Sequence, residues 1–163
     1  LYNVPGRTVA DLQNDTVLRL AEVPGIIGLK EATGSIERLK EIQALVDGPF
    51  RYYSGDDFTV LEFLKAGGHG VVTVSGNVVP AAMAKLCRLA REKKYAEAAA
   101  LDARLQPLNK ALFIESNPIP VKWALARMGL MEGHIRLPLT EYSATYHGQM
   151  VDALKTAGIE LKG

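Results

Sequence analysis

Short apolar runs closed by glycine or proline recur about every 20 to 25 residues in the first half of this 163-residue chain, each followed by an amphipathic helical pattern. That recurrence constrains the fold more than any other feature. Strand and helix in strict alternation pack as consecutive βα units around a parallel sheet. The runs are Leu1–Val4, Ile26–Lys30, Phe50–Ser54 and Val71–Val74. Between them the spacing predicts a helix capped by Asn14 or Asp15 (Val17, Leu18, Leu20, Ala21) and a second carrying Ile36, Leu39, Ile42, Leu45 and Val46. A third holds Val60, Leu61, Phe63 and Leu64, and a fourth runs from about Ala81 to Lys93. The opening residues Leu1–Pro5 read as the second half of a strand, so the chain is expected to begin inside an element.

After Lys94 no further strand pattern is evident. Tyr95–Leu105 is alanine-rich and helical, and Pro107 falls inside the continuing pattern, kinking it rather than ending it. Asn117-Pro118-Ile119-Pro120 opens another helix, with prolines where a first turn tolerates them. Leu137-Pro138-Leu139 reads as an extended connector, and a last helix is expected over 143–157. The organisation predicted is therefore α/β over residues 1–93, with a helical appendix over 94–163.

Lysines and arginines nearly balance aspartates and glutamates, leaving a net charge of +1, and the two signs are interspersed. No electrostatic case for nucleic acid or an anionic membrane follows. No stretch approaches the roughly 18 apolar residues of a membrane span. Cys87 is the single cysteine, so no internal disulfide forms, which is compatible with a reducing compartment. It lies with Met83, Leu86 and Ala90 on an apolar helical face and is expected to be a buried thiol.

The stretch richest in chemistry is Ile26-Ile27-Gly28-Leu29-Lys30-Glu31-Ala32-Thr33-Gly34. Alternation along a strand puts Ile26, Gly28 and Lys30 on one face and Ile27, Leu29 and Glu31 on the other. Lys30 would then stand at a strand's carboxyl end on an apolar face. Burial disfavours a charged amine there and prepares a neutral nucleophile for attack on a carbonyl. The alternative is a lysine that snorkels to water or pairs with Glu31. Other chemistries fit less well. His69, His134 and His147 are scattered without ligand spacing. Asp56-Asp57 reads as a helix N-cap at Asp57 with Asp56 in a local hydrogen bond, rather than as a catalytic carboxylate pair. Gly67-Gly68-His69-Gly70 precedes a strand, where a phosphate loop would join strand to helix, and Ser75 lies in no nucleophile elbow.

In a parallel βα sheet or barrel the carboxyl ends of the strands gather on one face, where function sits. That rim assembles the phenol of Tyr2, the guanidinium of Arg7, the amine of Lys30 and the flexible Gly55. A phenol beside a desolvated amine suits proton relay, and an arginine in the adjacent loop suits a carboxylate. The set fits imine chemistry on a keto acid.

Tyr2-Asn3-Val4-Pro5-Gly6-Arg7-Thr8, Gly28-Leu29-Lys30-Glu31-Ala32-Thr33-Gly34, Ser54-Gly55-Asp56-Asp57 and Asn117-Pro118-Ile119-Pro120-Val121-Lys122 together resemble the dihydrodipicolinate synthase family. Its members are pyruvate-dependent class I aldolases related to N-acetylneuraminate lyase. The resemblance runs through essentially the whole chain in order. It implies that Lys30 forms a Schiff base with pyruvate and that Tyr2 is one tyrosine of a proton-relay triad. It also implies that Arg7 binds the carboxylate of aspartate semialdehyde, and that Gly55, through its backbone, and Val72, as a small apolar wall, line the pyruvate pocket. The arginine-threonine pair after Pro5 favours the synthase over the sialic acid lyases, and another pyruvate-dependent aldolase of the keto-deoxy sugar acid type is the alternative within the superfamily. No metal or organic cofactor is implied, and a cytoplasmic homotetramer is. The family is an eight-stranded (β/α)8 barrel with a helical tail, whereas four strands and a tail are present here. The chain is thus expected to be the carboxyl-terminal half of a TIM barrel, its other triad residues and feedback pocket lying in the half not represented. A half-barrel serving assembly rather than catalysis is the other reading. The outer strands Leu1–Val4 and Val71–Val74 should be unpaired edges that do not meet each other.

Overall fold

Parallel pairing in strict chain order defines the sheet. The computed structural model describes residues 1–161, with strands β1 (Tyr2–Asn3), β2 (Gly28–Glu31), β3 (Arg51–Ser54) and β4 (Gly70–Val71) in the order β1-β2-β3-β4. Every pair is parallel, and β1 and β4 are edges that do not pair with each other, as the sequence predicts. Tyr2 stands opposite Lys30, Lys30 opposite Tyr53, and Tyr53 opposite Gly70, so these four share a rung and a face. Asn3, Glu31, Ser54 and Val71 form the next rung, on the other face.

The chain divides into two compact units, Leu1–Thr73 with Leu89–Lys94, and Val74–Arg88 with the residues from Tyr95 onward. In the first unit the helices after each strand are α1 (Pro5–Thr8), α2 (Asn14–Ala21), α3 (Ile36–Leu45) and α4 (Val60–Lys65). Their apolar stripes meet the sheet in one cluster of Val17, Leu29, Leu39, Ile42, Phe50, Tyr52 and Phe63. Each of these side chains contributes about 1.5–3 kcal/mol by leaving water. Leu29 and Glu31 face this core; Lys30 faces away from it.

Several local expectations are corrected. β2 starts at Gly28, so the two residues before it do not follow its alternation: Ile26 packs on the core while Ile27 is 74% exposed. α2 is capped by Gln13, whose extended backbone starts the helix; Asn14 is already helical, and Asp15 turns its carboxylate onto the amide of Thr16 (2.7 Å). Asp57 is not a cap either. Thr59 holds that position, and Asp56 Oδ2 accepts from the Thr59 amide (3.0 Å) and hydroxyl (2.7 Å), while Asp57 is buried. The fourth strand ends early because Val74 has already turned to helical dihedrals that lead into a 3-10 turn, Ser75–Asn77. Leu137 and Pro138 form a turn, closed by the Leu139 amide on the Arg136 carbonyl (3.1 Å), in place of the extended connector. Cys87 is half-buried, not fully buried.

The second unit holds most of α5 (Pro80–Arg91) together with α6 (Tyr95–Leu112), α7 (Ile119–Arg127) and α8 (His147–Thr156). α6 continues through Pro107, and α7 opens on Pro118 and Pro120 as expected. Leu105, Leu108, Leu112, Met150 and Leu154 make a core along α6 and α8. Trp123 of α7 stacks on His147 of α8 with ring centroids 4.4 Å apart, and the buried Tyr142 stacks on the same imidazole at 5.7 Å. Burial, with the charges of Glu115 and Tyr146 nearby, pushes the Tyr142 phenol up to about 12. No helix of the described residues is long and apolar enough to cross a membrane.

Two features of the first unit generate measurable expectations. Val9 closes α1 at φ 55°, in the left-handed region that a β-branched residue adopts only under strain, and it is 94% exposed. Val9→Asn should therefore gain about 1 kcal/mol, read as a melting temperature about 2–4 °C higher. His69 stands beside the β3 edge as a substitute for a strand residue. Its amide donates to the Tyr52 carbonyl (2.8 Å) and its Nδ1 accepts from the Tyr52 amide (3.1 Å). Although the residue as a whole is exposed, partial desolvation of the ring against Tyr52 and the Arg51 guanidinium hold its pKa below the ordinary 6.5. The native state thus binds fewer protons here than the unfolded chain, and this contribution is complete above 6.5 and lost as pH falls below it. Melting temperature should drop from about pH 7 to about pH 5, and His69→Asn, which keeps an acceptor but cannot titrate, should flatten that slope.

Candidate functional site

Lys30 is fixed by what happens on both faces of β2. On the core face Glu31, 3% exposed, accepts from the Thr33 amide (2.7 Å) and from Asn3 Nδ2 (3.0 Å), and it pairs with Arg38 Nε at 3.1 Å. Arg38 also bridges to both oxygens of Asp11 (2.9 and 2.8 Å) and donates to the Leu12 carbonyl. Asn3 closes the ring, donating to Asp11 (2.9 Å) and accepting from the Leu12 amide (3.0 Å). Hydrogen bonds from Arg38 and then Asn3 hold the Asp11 carboxyl below its usual range. Glu31 is thereby committed to Arg38, which excludes the reading in which it pairs with Lys30.

On the opposite face Lys30 is half-buried, and its Nζ stands 3.9 Å from the centroid of the Tyr2 ring. That is cation–π distance, and it places the phenol ring directly against the amine. The ladder continues one residue beyond the strands: the Ala32, Gly55 and Val72 amides donate to the Asn3, Glu31 and Ser54 carbonyls at 2.9, 2.7 and 2.8 Å. By the pleat, Ala32, Gly55 and Val72 lie on the Lys30 face, one step toward the carboxyl ends. The lysine side chain climbs into that step, because a Cβ on Gly55 would lie 3.0 Å from Lys30 Cε and 2.6 Å from Ala32 Cβ. Gly55 leaves room that any other residue would fill.

Tyr2, Lys30 and Gly55 are therefore brought together as the sequence predicts, and Val72 shares their face. Arg7 lies in the last turn of α1, exposed, with no ion pair among the described residues. The described residues supply only part of the desolvation expected for Lys30, which is half-buried, while Tyr2 is 50% and Val72 51% exposed. Helices of the first unit cover the other face of the sheet, and on the Lys30 face Tyr2 and Val72 are about half exposed. Sequence reasoning missed Tyr53, whose place beside Lys30 follows only from the β2–β3 register. It also missed the Glu31–Arg38–Asp11–Asn3 ring, for which the only signal was an acidic residue next to a strand-end lysine. Among the described residues no group of three or more His, Cys, Asp or Glu side chains is placed to hold a metal ion. A cavity of about 570 Å³ in the second unit, lined in part by Trp123, Tyr142 and His147, contains none of Tyr2, Arg7, Lys30, Gly55 and Val72.

The parallel βα sheet thus carries a lysine at a strand's carboxyl end, with a phenol on its amine and a glycine against its Cε. The sequence model of the Dihydrodipicolinate synthetase family matches residues 1–157, and the chain belongs to that family. It is 53% identical over 158 residues to the 4-hydroxy-tetrahydrodipicolinate synthase of Teredinibacter turnerae, covering 97% of this chain and 54% of that protein. The corresponding enzyme of an Azoarcus species is 54% identical over 160 residues, with 98% and 55% covered. Among solved structures, the chloride-inhibited dihydrodipicolinate synthase of Acinetobacter baumannii complexed with pyruvate superposes with a TM-score of 0.94. It is 48% identical and is matched over 98% of this chain and 55% of that one. A variant described as the first monomeric dihydrodipicolinate synthase gives 0.90 at 37% identity, over 96% and 54%. The chain thus spans about half the length of the relatives it matches. Those shares fix the extent of the correspondence.

The close packing at Gly55 is directly testable. Gly55→Ala forces its methyl against Ala32 and Lys30 and should cost about 1–3 kcal/mol in chemical denaturation. Gly6→Ala, whose Cβ would meet nothing within 4 Å, serves as the control in the same helix-and-rim region and should melt close to the parent.

Proposed function

We propose that this chain supplies the Schiff-base half of a 4-hydroxy-tetrahydrodipicolinate synthase, condensing pyruvate with L-aspartate 4-semialdehyde. The observation that carries the reading is the Lys30 amine held 3.9 Å over the Tyr2 ring with its Cε against Gly55. In this reading the Lys30 nitrogen adds to the carbonyl carbon of pyruvate, and the resulting carbinolamine loses water to give the iminium. The iminium draws electrons from the neighbouring methyl group, a proton leaves it, and the enamine carbon attacks the aldehyde carbon of the second substrate. Tyr2 is the group placed to hand protons to and from these oxygens, working through partners that share the load. Arg7, unpaired on the rim, forks onto the carboxylate of the semialdehyde. Gly55 offers its backbone to pyruvate, and Val72 is the apolar wall beside it.

The half-exposed Lys30 face supports a further part of the reading. Desolvation of the amine, which imine formation at neutral pH depends on, requires the complementary strands that close an eight-stranded barrel of about 250 residues. Catalysis is accordingly assigned to a protein in which this chain is joined to that other half, as a cytoplasmic homotetramer. A family relative described as the first monomeric variant favours an oligomer as the usual state.

Borohydride reduction in the presence of pyruvate, followed by peptide mass spectrometry, tests the assignment. With the complementary half present, the adduct should map to Lys30. Lys30→Arg keeps the charge, cannot form an imine, and should lose the adduct and nearly all turnover. Turnover near the parental rate in Lys30→Arg would end the assignment.

A further inference from the structure

The rung that carries Lys30 holds a second aromatic residue that no role above uses. Tyr53 is opposite Lys30 in the β2–β3 register, on the side away from Tyr2, so the amine is flanked by one tyrosine on each neighbouring strand. The two rings are held differently. Tyr2 lies under the amine itself, whereas Tyr53 leans toward β4: a Cβ on Gly70 would lie 3.3 Å from both Cδ1 and Cε1 of the Tyr53 ring. Gly70 is buried beneath that ring. The absence of a side chain at 70 is what leaves room for the Tyr53 ring there.

This location has a consequence for whatever the lysine binds. Lys30 rises to the level of Gly55, and Gly55 and Val72 occupy the step above the rung that Tyr53 fills. A carbonyl compound joined to Nζ and resting against Gly55 and Val72 therefore has the Tyr53 ring as its floor. We infer that Tyr53 is a specificity-determining residue, its ring closing the space below the Schiff base so that a 2-keto acid with a one-carbon tail fits and longer tails do not. The inference rests on the Schiff-base reading of Lys30, and it assigns a size limit that reading does not contain. The part that acts is the ring's bulk. The hydroxyl is not required, since the ring carbons are what meet Gly70 and what a substrate tail would strike.

The test uses the protein with both barrel halves present and two probes, pyruvate and 2-oxobutyrate, which differ by one methylene. Each is trapped on Lys30 with borohydride at matched concentration: the amine displaces the keto oxygen as water, and hydride from the borohydride reduces the iminium to a stable secondary amine. Initial trapping rates are read by mass spectrometry. One methylene in a tight apolar site changes selectivity by about 10–200-fold. The parental protein should prefer pyruvate by at least about 10-fold, Tyr53→Phe should keep that ratio, and Tyr53→Ala should reduce it by about 10-fold or more, chiefly by admitting 2-oxobutyrate. Tyr53→Leu, which keeps an apolar side chain against Gly70 and is the safer fold, should fall between Phe and Ala. An unchanged ratio in both Tyr53→Ala and Tyr53→Leu, with trapping on Lys30 intact, overturns the floor. Loss of trapping in Tyr53→Phe overturns it as well, by making the hydroxyl the active part. No adduct on Lys30 in the parental protein would instead sink the Schiff-base reading and this inference with it.

Discussion

The buried carboxylate of Glu31 is the constraint on which the first unit depends. A charged group with 3% exposure survives only if its oxygens are satisfied, and Glu31 meets this with the Thr33 amide, the Asn3 side chain and the Arg38 guanidinium. Such a pair adds little net stability over an apolar replacement, but breaking it by removing one partner costs about 3–5 kcal/mol. Its value lies in what it ties together. Asn3 belongs to β1, Glu31 to β2 and Arg38 to α3, and Asp11 and Leu12 belong to the segment between α1 and α2. A slip of one residue in the β1–β2 register would turn Asn3 to the other face and leave the carboxylate without its amide donor.

From that fixed register the site follows. Side chains alternate along β2, so committing Glu31 to the core face commits Lys30 to the opposite one. Pairing then sets Tyr2 on one side of the lysine and Tyr53 on the other, and the glycines at 55 and 70 give the amine and the second ring their space. A polar network on the helix side of the sheet thus positions reactive groups on the other side without touching them. Backbone capping serves the same end at the strand exits, where Asp56 ties the start of α4 to the loop after Gly55.

The second unit is organised by different physics. Leucines along α6 and α8 and the Trp123–His147–Tyr142 stack hold its core. Aromatic pairs at these separations add about 0.5–1.5 kcal/mol each beyond their buried area. Tyr2, Arg7, Lys30, Gly55 and Val72 all belong to the first unit.

The sequence by itself determined the alternation of strand and helix, the parallel sheet, the helical character after Lys94 and the place of Lys30 near a strand's carboxyl end. Each is written in a local pattern: apolar runs bounded by glycine and proline, stripes at helical spacing, or a motif of consecutive residues. The resemblance drawn from four such motifs agrees with the family match over residues 1–157. What only the tertiary structure decided depends on partners distant in the chain. Glu31 sits beside Lys30 in sequence but pairs with Arg38 because the pleat separates neighbours and the helix brings the arginine round. Tyr53 is an ordinary strand tyrosine until the register sets it beside an amine 23 positions earlier. Asp56 makes its expected local hydrogen bond, but Asp57 loses the cap to Thr59 because the helix starts two residues later, at Val60. Ile27, apolar and strand-like, is left in solvent because pairing begins one residue beyond it. Periodicity tells which residues alternate; where the ladder begins and which strand lies alongside are set by the fold.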